Sequence, residues 1–362
     1  MQSNKILAYI GTYTRGESEG IYIYRLDLSS GALEYAGMVS GVSNPTFLAI
    51  DPQQRYLYAA DEDMEFKGQP GGAVSAFAID AQTGGLTFLN QQPTHGGAPC
   101  HVVVDSMGRY VLVANYMGGN LAVYPIQADG SLGPASDVAQ HEGSSINPER
   151  QDRPHAHSIN LDPANRFAFA PDLGIDKVMI YRLDLDAGKL IPNEPPWAQV
   201  EDGAGPRHFT FHPNGNYAYL INELGSTITV FAYDAGRGAL TEIQTVPTLP
   251  ADFSAKNTTA DIHVHPSGKF LYGSNRGHDS LAIFTIDETT GKLTFTGHES
   301  TQGQTPRNFA IAPGGTLLLA ANQRSDNIVS FHINQETGQL TSIGHTTKVP
   351  MPVCIKFLVP TQ

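Results

Sequence analysis

Seven stretches of the chain repeat one pattern, a strand-like run, a turn closing on Gly-x-Leu or its near equivalent, and a second strand. They are IYIYRLDLSSGAL, AVSAFAIDAQTGGL, LAVYPIQADGSL, KVMIYRLDLDAGKL, ITVFAYDAGRGAL, LAIFTIDETTGKL and IVSFHINQETGQL. Their glycines are Gly31, Gly84, Gly130, Gly188, Gly238, Gly291 and Gly338, and the period between them suits four short strands. Ahead of each hairpin from the second onward stands another signature of strand, polar turn and strand, as in FLAIDPQQRYLYAADE and HFTFHPNGNYAYLINE. Six copies are complete. The seventh is split between PVCIKFLV at 352–359 and KILAYIGTY at 5–13, so the two ends of the chain are expected to share one blade. These features predict an all-β, seven-bladed β-propeller with four antiparallel strands per blade. It forms a single domain over 1–362, its closing blade built from 5–40 plus 350–362.

Composition agrees with many short strands and tight turns. The 362 residues include 37 Gly, 24 Pro, 15 Tyr and 16 Phe, with 16% charged residues and 40% hydrophobic ones to fill a core, so little helix is expected. A formal charge of -13 argues against a nucleic-acid or anionic-membrane surface, and an anionic ligand would need a local basic pocket. MQSNKILAYIGTYT enters a strand pattern without a secretory-type leader, and no apolar run approaches membrane-spanning length, so a soluble, cytoplasmic protein is expected. Cys100 and Cys354 are too few for a disulfide framework and are expected to be reduced and buried.

The alternation of strand direction assigns chemistry to one face. If the strands of a blade run A to D from the centre outward, the start of A and the end of B emerge together, and the A–B turns lie opposite. In GAGPRHFTFHPNGNYAYLINELGS, Arg207 opens a strand A and Glu223 ends the next strand B. Applied to every blade, the rule collects His101, His155, His157, Arg207, His208, His263 and Arg307 at the starts of A. The ends of B add Asp61, Glu62, Asn115, Tyr116, Asp172, Asn222, Glu223, Asn275, Arg276, Asn322 and Gln323. Long connections at 61–72, 140–154 and 250–260 fall on the same face. The opposite turns, such as DPQQR and HPNGN, are ordinary turn chemistry.

Three stretches, PHAHSINLDP, GAGPRHFTFHPNGNYAYLINEL and ADIHVHPSGKFLYGSNRG, give the chain a resemblance over essentially its whole length to a known family. This is the seven-bladed lactonase family that includes propeller-type 6-phosphogluconolactonases and carboxy-cis,cis-muconate cyclases. The resemblance implies a lactone hydrolase without metal or other cofactor, acting on a small anionic lactone, most simply 6-phosphogluconolactone. A lactonising cyclase is the alternative. The family's catalytic His, two Arg and Glu map to the His of PHAH, Arg207, Glu223 and Arg276. Of the two histidines, His157 stands six residues before Pro163, as Arg207 does before Pro213 and Arg307 before Pro313, which favours it over His155. His155, His208, Arg307, Asn222, Asn275, Asn115 and Asp172 are expected to contact substrate, although His208, like His212, His263 and His265, also fits a structural role by strand alternation.

Hydrolysis needs a base for water, donors for the oxyanion and an acid for the ring oxygen. Glu223 or His157 can serve as base, while Arg207 and Arg276 supply positive charge for the oxyanion and for an anionic substituent. No G-x-S-x-G elbow supports a covalent serine route. Three other readings compete. Arg207 and Glu223 would also suit a structural ion pair. Asp172, Asn115, Asn222, Glu223 and Asn275 are oxygen donors of the kind Ca²⁺ takes, whereas His155 and His157 lack an evident third zinc ligand. A non-catalytic binding propeller is the third, though the G-H and W-D signature is absent and Trp197 is the sole tryptophan. The chain is expected to act as a monomer or a homodimer.

Overall fold

The computed structural model describes residues 4–359. Among the described residues, seven four-stranded antiparallel sheets account for nearly all of the regular structure, and the helical content is one 3-10 turn, Gln323–Ser325. Six sheets are contiguous in sequence, spanning 45–93, 99–140, 160–199, 206–247, 258–300 and 306–348. The seventh orders Leu33–Ser40, Gly20–Asp27, Lys5–Thr12 and Pro352–Leu358, with Leu7 opposite Leu358 and Ile10 opposite Ile355. The closing sheet therefore draws on both ends of the chain, as the split signature predicts. A small hairpin, Glu65–Phe66 with Gln69–Pro70, interrupts the connection after Asp61 and was not anticipated. The first strand of the 160–199 sheet is reduced to Asn160–Leu161, so His155 and His157 precede it, joined to the sheet through the isolated bridge of Ala156 with Asp172.

The contacts divide the chain into two compact units, one of residues 1–41, 210–232 and 242–362, the other of residues 42–209 and 233–241. In both, the hairpin repeat has a common local cause. Asp27, Asp80, Asp129, Asp184, Asp234, Asp287 and Asn334 each accept, on Oδ1, the backbone N–H two residues on, at 2.9–3.0 Å. This side-chain turn starts the reversal, and a glycine with φ between 63° and 85° completes it.

Packing against the preceding sheet requires the same glycines. A Cβ on Gly130 would come within 2.1 Å of the Tyr56 ring, and Gly188, Gly238, Gly291 and Gly338 face Tyr110, Phe167, Tyr217 and Phe270 at 2.4–2.5 Å. Each aromatic ring lies at the start of a second strand, so one sheet's hairpin rests on the preceding sheet's ring. Tyr58, Tyr219 and Tyr272, two residues further on, donate their hydroxyls to the carbonyls of Gly130, Gly291 and Gly338.

The turns between first and second strands also join neighbours. Asp51, Asp105 and Asp162 accept paired backbone N–H groups at 2.6–2.7 Å. His212 and His265 replace this aspartate, and each donates Nε2–H to the turn of the following sheet, at Gly268 O and Gly315 O, both 2.8 Å. Apolar side chains fill the space between sheets. Leu317, Leu319, Ala321 and Ile328 pack against Ile6, Ala8, Ile10 and Ile355 of the closing sheet.

Gly215 and Gly338 separate backbone strain from packing, since both have φ +72° but only Gly338 has a neighbour in the way. Gly215→Ala should cost about 1 kcal/mol of unfolding free energy, the left-handed penalty alone. Gly338→Ala should cost about 1–3 kcal/mol more, because the Phe270 ring must move. Urea denaturation of both variants measures the difference, and equal losses would remove the inter-sheet lock.

Candidate functional site

Side chains at the starts of first strands and ends of second strands form one polar neighbourhood in each compact unit. In the unit containing 42–209, aromatic and imidazole rings dominate. His155 stacks on Tyr116 at 4.5 Å between centroids, with its Nδ1 3.0 Å from the Tyr116 carbonyl oxygen, which places the proton on Nδ1. His155 Nε2 lies 3.5 Å from Asp152 Oδ1. His157 meets Tyr116 edge-on at 5.2 Å and His208 at 5.6 Å. His208 in turn contacts His101 and Phe47 edge-on, at 5.5 and 5.7 Å. All three expected histidines are therefore brought together, and all are buried.

The backbone of PHAH is held by an acid. Asp172, with no exposed surface, accepts His155 N–H at 2.7 Å and Gly174 N–H at 2.9 Å on Oδ1, while His141 Nδ1 lies 2.6 Å from Oδ2. Asp172, expected from the sequence to contact substrate, has its oxygens engaged in fixing the segment that carries His155 and His157. His157 N–H bonds to Pro171 O at 2.9 Å, and Cys100 Sγ lies 3.3 Å from His157 O and 3.7 Å from its Nδ1. Arg207 is 2% exposed, and its carbonyl accepts the Ser158 hydroxyl at 2.8 Å.

Tyr116 and His101 stand at the predicted face but were not singled out from the sequence, while Phe47 and Cys100 were missed there altogether. The signal was the register itself. Counting back from each turn as for His157 places Cys100 in the same register, and Phe47, His101 and His208 one residue later. Both cysteines are reduced and buried, as expected.

In the other unit the neighbourhood is ionic. Arg276 Nη2 lies 2.8 Å from Glu223 Oε2 and donates also to Thr259 O at 2.7 Å, with the two side chains 12% and 6% exposed. The corner carrying Glu223 is tied down by Thr259, whose N–H bonds to Glu223 O at 3.2 Å and whose hydroxyl bonds to Asn222 O at 2.8 Å. The Arg307 guanidinium lies over the Tyr13 ring at 5.5 Å. Burial draws the Arg276 pKa below its ordinary value; Arg307 pushes the same way and Glu223 opposes both. Arg276 Nε is buried without a hydrogen-bond partner among the described residues.

The asparagines of the second-strand ends donate within the fold. Asn115 donates Nδ2–H to Thr94 O at 2.9 Å and Asn120 Oδ1 at 2.8 Å, Asn222 to the hydroxyls of Thr227 and Thr229 at 3.0 Å, and Asn275 to Thr248 O at 2.9 Å. All three are at most 1% exposed, and their amide N–H groups are engaged within the fold, those of Asn115 and Asn275 in part on the connection that follows the preceding sheet. Among the described residues, no group of three or more His, Cys, Asp or Glu is arranged to hold a metal ion. No helix among them is long and apolar enough to cross a membrane.

Residues 7–357 match the family described as Lactonase, 7-bladed beta-propeller. The chain is 41% identical to a 6-phosphogluconolactonase of Bacillus subtilis across 98% of this chain and 99% of that protein. A 6-phosphogluconolactonase of Formosa agariphila is 36% identical, with 84% and 85% covered. Among solved structures, the periplasmic gluconolactonase PpgL of Pseudomonas aeruginosa superposes with a TM-score of 0.92 at 36% identity, covering 98% and 99% of the two chains.

Two second-strand ends, Asp61 and Asp172, are acids where Asn115, Asn222, Asn275 and Asn322 are neutral. Asp61, 2% exposed, accepts Ser75 Oγ–H at 2.6 Å and Gln91 Nε2–H at 3.0 Å on Oδ2, while Oδ1 has no partner among the described residues. Burial outweighs these hydrogen bonds and holds its pKa well above the carboxylate range. A raised folded-state pKa means that stability is fully present below the unfolded value, about 4, and falls as pH rises toward the folded one. Asp61→Asn should therefore gain on the wild type steadily from pH about 4 upward. Urea midpoints at three pH values read this, and a gap that stays constant or narrows with pH contradicts a neutral buried acid.

Proposed function

Since the chain belongs to the seven-bladed β-propeller lactonase family and is a lactone hydrolase by class, we propose that it hydrolyses an acidic sugar lactone, with 6-phosphogluconolactone the leading substrate. The reaction is taken to belong to one cytoplasmic domain spanning all seven sheets. The observation that carries the proposal is the Glu223–Arg276 pair, a carboxylate and a guanidinium 2.8 Å apart and almost withdrawn from water. Arg307 adds a second cation to this neighbourhood, so positive charge exceeds negative there although the chain as a whole is at -13. A site that must stabilise a developing oxyanion benefits from that excess, since charge is weakly screened where water is displaced.

In the proposed mechanism Glu223 takes the proton from the attacking water. The opposite charge of Arg276 keeps it in the carboxylate form, which a base requires. As the carbonyl oxygen becomes anionic, Arg276 turns a donor toward it, with its unpartnered Nε–H available for this. Its hold on Glu223 then weakens and the carboxylate becomes the stronger base. The family resemblance counts Arg207 and His157 among the catalytic residues; with Glu223 as base, we assign Arg207 to the same charge stabilisation and His157 to protonating the departing ring oxygen. Asp172 and Cys100 support His157 from behind, through the backbone of PHAH and through the thiol contact.

Acid release from 6-phosphogluconolactone above the spontaneous rate tests the proposal, with gluconolactone and muconolactone assayed alongside. The wild type should accelerate hydrolysis. Glu223→Gln should lower kcat by about 10²–10³ when assayed well below its melting point. Its melting temperature should also fall, because Arg276 is left buried without its counter-charge. No acceleration on any of the three lactones would overturn the enzyme assignment, and turnover of muconolactone alone would favour the cyclase chemistry.

A further inference from the structure

A cavity of about 510 Å³ opens beside Arg276, and the charged and hydroxyl-bearing residues lining it are Lys256, Arg276, Arg324, Asp279, Thr258 and Thr305. Three cations around one small cavity stand out in a chain with 22 Lys and Arg against 35 Asp and Glu. Asp279, the opposing charge, is engaged by the backbone: its Oδ1 accepts N–H groups from Gly277 at 3.2 Å and Thr305 at 2.8 Å. Among the described residues, Lys256 and Arg324 form no ion pair, so their charges are not neutralised within the fold.

The walls are anchored although their charged tips reach solvent. The connection carrying Lys256 is fixed by Asn257, which donates to Ser226 Oγ at 3.0 Å and Asn275 Oδ1 at 3.3 Å. The turn carrying Arg324 is fixed by its own N–H, bonded to Gln304 O at 3.1 Å. Arg276 belongs to both places, facing this cavity and holding Glu223.

We propose that this cavity is the anion subsite of the lactonase, taking the phosphate monoester of a phosphorylated sugar lactone between Lys256 and Arg324, with Arg276 at the boundary to Glu223. The proposal rests on the lactonase assignment and adds to it the residues that select a charged lactone. A phosphate dianion matches the chemistry on the page, since it presents three acceptor oxygens to an ammonium, planar guanidinium donors and two threonine hydroxyls. A cavity of this volume is of the size that encloses a small ligand.

The test uses the full chain, the double variant Lys256→Gln/Arg324→Gln, and Arg25→Gln/Lys292→Gln as a control that removes the same charge from other exposed positions. The kcat/KM ratio of 6-phosphogluconolactone to uncharged gluconolactone should fall about 10–100-fold in the first variant, mostly through KM, and stay within about 2-fold in the control. Inorganic phosphate is the second probe, followed by calorimetry without turnover. The wild type should bind it, and the first variant about 10-fold or more weakly. Hydrolysis with an unchanged ratio would overturn the subsite and leave the lactonase assignment standing. Absence of hydrolysis with phosphate binding that the variant loses would do the reverse, and phosphate binding equal in all three proteins would overturn the subsite in either case.

Discussion

The ladder between Lys5–Thr12 and Pro352–Leu358 is the constraint on which the other features depend, since without it the closing sheet would keep three strands and an open edge. Closing a loop of that length costs conformational entropy, though the cost grows only logarithmically with length and the ladder's hydrogen bonds and apolar contacts offset it. The ladder also reaches the chemistry. Just beyond it Tyr13 donates its N–H to Met351 O at 3.2 Å and sets its ring beneath the Arg307 guanidinium. Arg307 is among the groups that act on Arg276, and Arg276 pairs with Glu223. Joining the chain ends and setting the field around the carboxylate are thus coupled through one tyrosine.

Between neighbouring sheets the contacts are local and repeated, and that repetition made the fold legible. The side-chain turn at Asp27 and its six counterparts, followed by glycine, is a short-range signal that recurs with a shared obstacle, which at five of the hairpins is a ring at the start of the previous sheet's second strand. The split closing blade could be read for the same reason: two halves of one signature lie at opposite ends of the chain.

The polar residues were less legible, and the reason is physical. Position in the repeat tells which end of a strand a residue occupies, but not whether its side chain turns outward or back into the ladder. Asn115, Asn222 and Asn275 turn back, because the end of each sheet leaves acceptors such as Thr94 O and Thr248 O that a short amide reaches. Glu223 and Arg276, one residue further along from Asn222 and Asn275, find each other instead. The ring cluster of Tyr116, His157, His208 and Phe47 was hidden for another reason. It joins residues from the segments of four different sheets, and no single segment carries its pattern.

Charge distribution then constrains how such a protein recognises an anion. With a formal charge of -13, the chain repels an anionic ligand at a distance, and at physiological salt that repulsion fades beyond about 8 Å. Attraction must come at short range, from cations that the ligand meets only on entry. Arg276 is held below its ordinary pKa by burial, which means that its charge is costly to keep and would be strengthened by any second anion nearby. A ligand anion and the Glu223 carboxylate therefore share one guanidinium, and what the ligand gains from Arg276 the carboxylate gives up. That exchange ties recognition of the substrate's charge to the basicity of the group beside it, so the cations around Arg276 influence turnover as well as affinity.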